Sequence, residues 1–355
     1  MNRLWICNDV WMDIFPHFDR PQLGLKLALL SPRFNSLVDA HFNGKSELTI
    51  WKSIKIKKMG TKAKLFVEKG NAKFPLPNRP LHNKIRFVFV PIRYIDHSVI
   101  TFLRANQQIF DKGTDLSLHV PFPSKAMDVQ PIWNAFAREI WPIFATNIRH
   151  LNFTDGRHLE NLRHFISPTL LADFNIISIH SGDLLPDVIG DDGPNGTAGQ
   201  ALSKWLHTPT KDGQPKRLIC AYPSGNSDWI NDFIEAFLGA TASSANYKIR
   251  LDLYESTPID SFELMNELTN EKLTLTKINE YKWVNKWIMR RCPIGETATA
   301  VQWADKNSNN LNKIDFKFYS WTNCIGPLSQ PKAGKTNAKS HLKMNPGPSD
   351  QRKKK

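Results

Sequence analysis

NIRHLNFTDGRHLENLRHFISPTLL, residues Asn147–Leu171, reads as a strand, a short turn and a helix in direct succession. Apolar residues hold strand positions over Ile148–Phe153, and Leu159, Leu162 and Phe165 then return at helical spacing. The same alternation extends in both directions. Strands are predicted at Ile85–Val90, Leu116–Val120, Ile176–His180, Arg217–Ala221 and Ile249–Tyr254. Helices are predicted at Asp96–Phe110, Val129–Trp141, Leu159–Phe165, Gln200–Leu206 and Ser227–Leu238. A strand-then-helix unit recurring about every 30 residues implies a solenoid or an open α/β layer.

The expected class is therefore α+β or α/β, with an array over 84–255 that is leucine-rich-repeat-like but irregular, because the asparagine ladder of regular repeats is missing. Before it, Leu48, Ile50, Ile54 and Ile56 alternate with lysines up to Met59-Gly60, which predicts a β-hairpin over 46–70. After it, 260–323 is β-rich: Phe262–Leu268 and Leu273–Ile278 form a hairpin, and Trp287–Arg291 is a further strand able to cap the array. Gly190–Gly199 (GDDGPNGTAG) is expected to be a flexible surface loop. Residues 325–355 lack apolar periodicity and are expected to be a disordered basic tail.

Residues 5–43 follow a different pattern, that of three short helices. Asn8 or Asp9 is positioned to cap the first, with Val10, Trp11, Ile14, Phe15 and Phe18 at helical spacing. Asp19-Arg-Pro-Gln22 carries a capping-box signal with proline just inside the start. Ser31-Pro32 repeats that start signal ahead of Phe34, Leu37, Val38, His41 and Phe42. A unit of about 38 residues buries too little surface to offset its chain entropy, so it needs a partner or the rest of the chain.

Composition narrows the function classes. The 355 residues are 41% hydrophobic and 23% charged, as in ordinary globular proteins. The four cysteines, Cys7, Cys220, Cys292 and Cys324, are far apart with no CxxC pair, which argues against a disulfide framework or a structural zinc and for a reducing compartment. No stretch is long and apolar enough for a membrane span, and Asp9 and Asp13 interrupt what would otherwise imitate a signal peptide. The expectation is a cytoplasmic or nuclear protein. Net charge is +14, and half of it lies in residues 331–355, where eight lysines and arginines stand against Asp350 alone. Only 52–73 is otherwise dense in lysine.

Ile6-Cys-Asn-Asp-Val-Trp-Met-Asp-Ile-Phe15 resembles the opening of an F-box, and Ala28-Leu-Leu-Ser-Pro-Arg-Phe34 resembles its second signature. Cys7 stands where the family usually has proline, and Phe34 where tryptophan is common. Val10–Phe42, Tyr94–Leu116, Ile166–Leu171, Gln200–Ser224, Ser261–Asn279 and Arg290–Ile294 are similar to an expanded family of F-box proteins of cyst nematodes. The resemblance covers scattered blocks over most of 5–294 and not the tail. It implies a non-catalytic adaptor of a ubiquitin ligase of the Skp-cullin-F-box (SCF) type. The F-box would dock a Skp-type linker subunit with a cullin behind it, and the region 46–324 would hold a protein substrate.

On this reading Ile6, Cys7, Val10, Ile14, Leu23, Ser31 and Arg33 are expected to touch the linker subunit by helix-in-groove burial. Trp11, Leu27, Leu30, Phe34 and Leu37 are expected to lock the helices together. No catalytic residue, cofactor or metal site is expected. His150, His158 and His164 lack a companion cysteine or acidic cluster. Ala333-Gly-Lys-Thr336 lacks the first glycine of a phosphate-binding loop, and Tyr222-Pro-Ser-Gly225 lacks a nucleophile elbow. The alternative is a nuclear nucleic-acid-binding protein using the lysine-rich strands and the tail, although Trp51 and Phe66 give it little aromatic interleaving.

Overall fold

The computed structural model describes residues 6–43, 49–67, 73–77, 80–81, 85–110, 115–121, 129–145, 148–211, 213–221, 228–242, 245–254, 259–281, 284–295, 312–319 and 325–328. The chain begins with α1 (Asn8–Ile14), α2 (Arg20–Leu25) and α3 (Pro32–Asn43), joined by 3-10 turns at Phe15–His17 and Leu27–Leu29. The first cap differs from expectation. Cys7 is the extended residue before α1 and makes no side-chain cap, while Asn8 is already helical. The other two starts follow the sequence signals. Gln22 Oε1 accepts from the Asp19 N–H at 3.3 Å, and Ser31 Oγ accepts from the Phe34 N–H at 3.3 Å.

The remaining elements alternate. β1 (Thr49–Met59), β2 (Lys62–Val67) and β3 (Lys73–Pro75) precede β4 (Ile85–Ile92), α4 (His97–Ala105) and α5 (Gln107–Phe110). β5 (Asp115–Pro121), α6 (Gln130–Ala135), a π-helical turn at Phe136–Ile140 and α7 (Trp141–Phe144) come next. Then follow β6 (Ile148–Phe153), α8 (Arg157–Phe165), α9 (Leu170–Asp173), β7 (Ser178–Gly182), α10 (Ala198–His207), β8 (Lys216–Ala221) and α11 (Asp228–Leu238). The end is all β: β9 (Tyr247–Tyr254), β10 (Phe262–Asn266), β11 (Glu271–Tyr281), β12 (Val284–Pro293) and β13 (Asn312–Tyr319).

All thirteen strands join one mixed sheet in the order β10-β11-β12-β9-β8-β7-β6-β13-β5-β4-β1-β2-β3. The centre, from β9 to β1, is parallel, and antiparallel strands finish both ends. From β4 to β9 each new strand is laid down on the same side of the last. That progression keeps the crossover helices on one face, and consecutive helices accordingly touch: α6 with α8, then α8 and α9 with α10.

One strand breaks the progression. β13 inserts between β5 and β6, parallel to both, pairing Ile314 with Leu116 on one side and with Leu151 on the other. Nothing in the 30-residue spacing foretold it, because its apolar alternation is short and its neighbours are more than 150 residues away in sequence.

Two further expectations need correction. The Gly190–Gly199 loop is pinned rather than flexible. Arg163 on α8, nearly sealed from solvent, donates to the Gly196, Gly193 and Pro168 carbonyls at 2.5, 2.7 and 3.0 Å. Thr197 then caps α10 by accepting from the Gln200 N–H at 3.0 Å. The chain from 325 is also ordered at its start. Ile325 bridges Ile95, the Gly326 N–H donates to the Ile95 carbonyl at 2.8 Å, and the His97 N–H donates to the Pro327 carbonyl at 2.9 Å. A side chain at Gly326 would overlap the Tyr94 ring, which is why this docking uses glycine. Residues 329–355, with the basic run and Ala333–Thr336, lie outside the described residues.

The core lies between the sheet and its helices, with Trp133, Phe136, Phe144, Phe153, Leu202 and Tyr247 among its buried side chains. His158 sits inside it, 6.3 Å from the Trp133 ring, with Nδ1 3.0 Å from the Asp155 carbonyl. Burial lowers its pKa to about 4, against the pull of the Asp155 carbonyl in the other direction. The unfolded ring titrates near about 6.5. Its contribution is thus complete above about pH 6.5 and is lost as pH falls towards about 4, where the unfolded chain holds a proton the fold refuses. Urea titrations at neutral pH and at about pH 4.5 should show a loss approaching about 3 kcal/mol from this residue. The His158→Gln variant should show a correspondingly shallower pH dependence.

Candidate partner-binding surfaces

The helical unit has its own small core of Phe15, Leu23, Ala28, Leu37, Val38 and Phe42, against which Trp11, Met12, Leu27 and Phe34 pack. Trp11 meets Phe34 edge-on at 4.9 Å and lies 6.2 Å from Phe15. Residues four apart share a helix face, so with Trp11 and Phe15 turned inward, Val10 and Ile14 hold another face. Val10 is 44% exposed, Ile14 and Ile6 are half-buried, and Cys7 is exposed. An apolar strip thus runs from the lead-in along α1.

The assignment of individual residues changes at three places. Leu23, expected at the interface, is buried in the unit's core, because it follows the capped start of α2 on the face that meets α3. Leu30, expected to lock the helices, is 65% exposed at the end of the second 3-10 turn. Arg33 turns back on its own chain: Nη2 donates to the Ile6 carbonyl at 2.6 Å and to Asn8 Oδ1 at 2.8 Å, and Nε to the same oxygen at 3.1 Å. It therefore holds the lead-in segment against α3. Ser31 is half-buried and spends its hydroxyl on the cap.

A cleft of about 210 Å³ opens beside this core, lined by Phe15, Phe18, Leu23, His41 and Phe42. It is small for a drug-sized ligand, which takes roughly 300–1,000 Å³, and of the scale of inserted side chains. The unit is anchored to the sheet by Leu25, which is buried in the main core, and by Lys26, whose Nζ lies 5.4 Å over the Phe74 ring on β3.

The second surface is the sheet face turned away from α8–α11. Alternation fixes which residues it carries. Lys216 donates to the Trp205 carbonyl on α10, Tyr247 meets His207 on α10, and Arg291 lies 5.2 Å over Phe237 on α11, so all three face the helices. Their neighbours Arg217, Lys248 and Arg290 point the other way and are half-buried. Strand register sets Arg290 beside Lys248, Lys248 beside Arg217, Arg217 beside Ser178, Ser178 beside His150 and His150 beside Lys313.

On the helix side, a cavity of about 330 Å³ is lined by Ser203, His207, Phe233, Phe237, Tyr247 and Arg291. Burial lowers the His207 pKa, and the ring accordingly stays neutral near pH 7, with Nδ1 2.9 Å from the Ser203 carbonyl. Burial raises the Tyr247 phenol, with the Arg291 charge opposing it. Arg291 itself is committed to Glu271. Cys220 is fully buried and its thiol is pushed up to about 12, so it stays protonated and is not a nucleophile at neutral pH. No cluster of three or more potential metal ligands occurs among the described residues, and no described helix is long and apolar enough to cross a membrane.

No family model, curated protein or solved structure matches this chain.

Proposed function

We propose that the chain is a non-catalytic adaptor of F-box type, whose N-terminal helices dock a Skp-type linker subunit of a cullin-based ubiquitin ligase. The strand-helix region, taken as an irregular leucine-rich-repeat-like array, would then present a protein substrate on its helix-free face. The observation that carries this reading is the apolar strip of half-buried Ile6 and Ile14 with exposed Cys7 and Val10, on a helical unit where Phe15, Leu23, Ala28, Leu37, Val38 and Phe42 form the core and Phe18 and Leu30 add further exposed apolar surface. Such a strip suits helix-in-groove docking. The adaptor would act in the cytoplasm or nucleus, and ubiquitin transfer would belong to other subunits.

Co-elution of the purified chain with a Skp-type linker subunit tests the proposal. Val10→Asp and Ile14→Asp should each weaken the complex at least about tenfold, a loss of about 1.4 kcal/mol or more, since each buries a charge in an apolar contact. Val10 is the cleaner site, because it is exposed in the isolated chain. Absence of a complex, or a complex indifferent to both substitutions in folded protein, refutes the docking surface.

A second reading has one observation in its favour. Lys57 on β1 has its pKa lowered, by burial first and then by the charges of Arg93 and Lys55. Its ammonium also lies 5.4 Å over the Phe66 ring. A nucleic-acid-binding protein would use such a cation cluster with the basic tail, and its retention on a nucleic-acid column would fall steeply with salt.

A further inference from the structure

We infer that the cavity of about 330 Å³ on the helix side of β9 and β12, roofed by α10 and α11, is a binding site for a small neutral hydroxyl compound of phenol type. The inference does not depend on the adaptor reading, and its residues lie outside the N-terminal helices.

Ser203 and Tyr247 line the cavity, both are wholly buried, and neither side-chain oxygen has a hydrogen-bond partner within the protein. Buried polar atoms are nearly always paired, so two orphaned hydroxyls at one cavity point to a ligand that would complete them. The Arg291 guanidinium is close enough to act on the Tyr247 phenol, but its own hydrogen bonds go to Glu271.

A third group stands beside them. His207 lies four residues after Ser203 on α10 and therefore shares its helix face. Its ring meets the Tyr247 ring edge-on, with centroids 5.4 Å apart. The Ser203 carbonyl, 2.9 Å from Nδ1, can only accept, so Nδ1 carries the proton of the neutral ring and Nε2 offers a lone pair.

These groups discriminate among ligand chemistries. A hydroxyl has one proton to donate and room to accept two, which matches one imidazole lone pair and two O–H donors. A carbonyl compound would leave Nε2 unmatched. A carboxylate would face the same lone pair, and the Arg291 charge is already neutralised by Glu271. The walls supply the rest of the selectivity. Phe233 and Phe237 are buried on the inner face of α11, and their rings suit edge-to-face contact with a bound ring. Val188 and Ala236 on the lining are exposed, which gives the cavity its opening to solvent. The volume lies at the lower end of small-molecule sites, roughly 300–1,000 Å³.

The test titrates the full chain with 4-ethylphenol, followed by ligand-observed NMR. Ethylbenzene, of similar shape without the hydroxyl, is the matched control, and 4-ethylbenzoate is the charged one. The phenol should bind with a dissociation constant of about 1 mM or tighter, and both controls at least about tenfold more weakly. Ser203→Ala and Tyr247→Phe should each weaken the phenol by about fivefold and leave ethylbenzene unchanged. Both variants should keep or raise the thermal midpoint, since each removes an unpaired buried hydroxyl. Ala236→Trp, at an exposed helix position, should close the mouth and abolish binding. No binding of the phenol, equal binding of ethylbenzene, or tighter binding of the benzoate overturns the inference. So does phenol binding that all three substitutions leave intact. None of these residues lies in the N-terminal unit, so linker-subunit co-elution is unaffected and the docking proposal can fail separately.

Discussion

Replacing Glu271 with alanine is expected to lower the unfolding free energy by about 3–5 kcal/mol, the range for removing one partner of a buried ion pair. Glu271 and Arg291 have side chains only 2% and 6% exposed, and a single carboxylate oxygen accepts from Arg291 Nε at 2.9 Å and Nη2 at 2.6 Å. Without the carboxylate, the guanidinium stays behind between the sheet and Phe237 with its charge uncompensated. The pair's net worth is much smaller than that loss, because both ions were desolvated to form it. Glu271→Leu combined with Arg291→Met should therefore recover most of the stability. Urea unfolding of the single and double variants measures both quantities. A single variant within about 1 kcal/mol of the parent would show that the pair is wetter than its geometry implies.

Arg163→Ala is expected to cost about 2–4 kcal/mol: each hydrogen bond from a charged donor contributes about 1.5–3 kcal/mol, but the loss of three is offset in part because the truncation also removes a desolvated charge and lets water reach the carbonyls. Its effect should be local first. Gly193 and Gly196 would lose their only described tie to α8, and limited proteolysis should cut within 190–197 well before the rest of the chain opens. Arg163→Lys should rescue little, because an ammonium cannot reach carbonyls on two segments with a planar fork. Protease resistance in the alanine variant equal to that of the parent would show that the Thr197 cap alone holds the loop.

The same loop shows where sequence reading stops. GDDGPNGTAG looks flexible because everything local to it is small or polar, and its anchor sits about 30 residues upstream on α8, in a position that reads as an ordinary surface arginine. The strand-helix alternation was legible because it is periodic: the strands at 148–153, 216–221 and 247–254 and the helices at 157–165 and 228–238 fall where apolar spacing puts them. The three N-terminal helices were legible for the same reason. Which of their apolar residues face outward was not, because Leu23 and Leu30 occupy equivalent points in the pattern and differ only in what α3 covers. The row across the helix-free face was invisible for a further reason. Arg217, Lys248 and Arg290 are more than 70 residues apart end to end, and only sheet register brings them together.

β13 gives the molecule a particular order of assembly. Until residue 319 has left the ribosome, β5 and β6 each show a bare edge of unsatisfied amide and carbonyl groups in the middle of what will be the sheet. A nascent chain at that stage holds two half-sheets joined only through helices, and each edge is a template for the wrong strand. β13, the last strand among the described residues, is thus a keystone, and its insertion between β5 and β6 closes the wall on which both proposed surfaces are mounted.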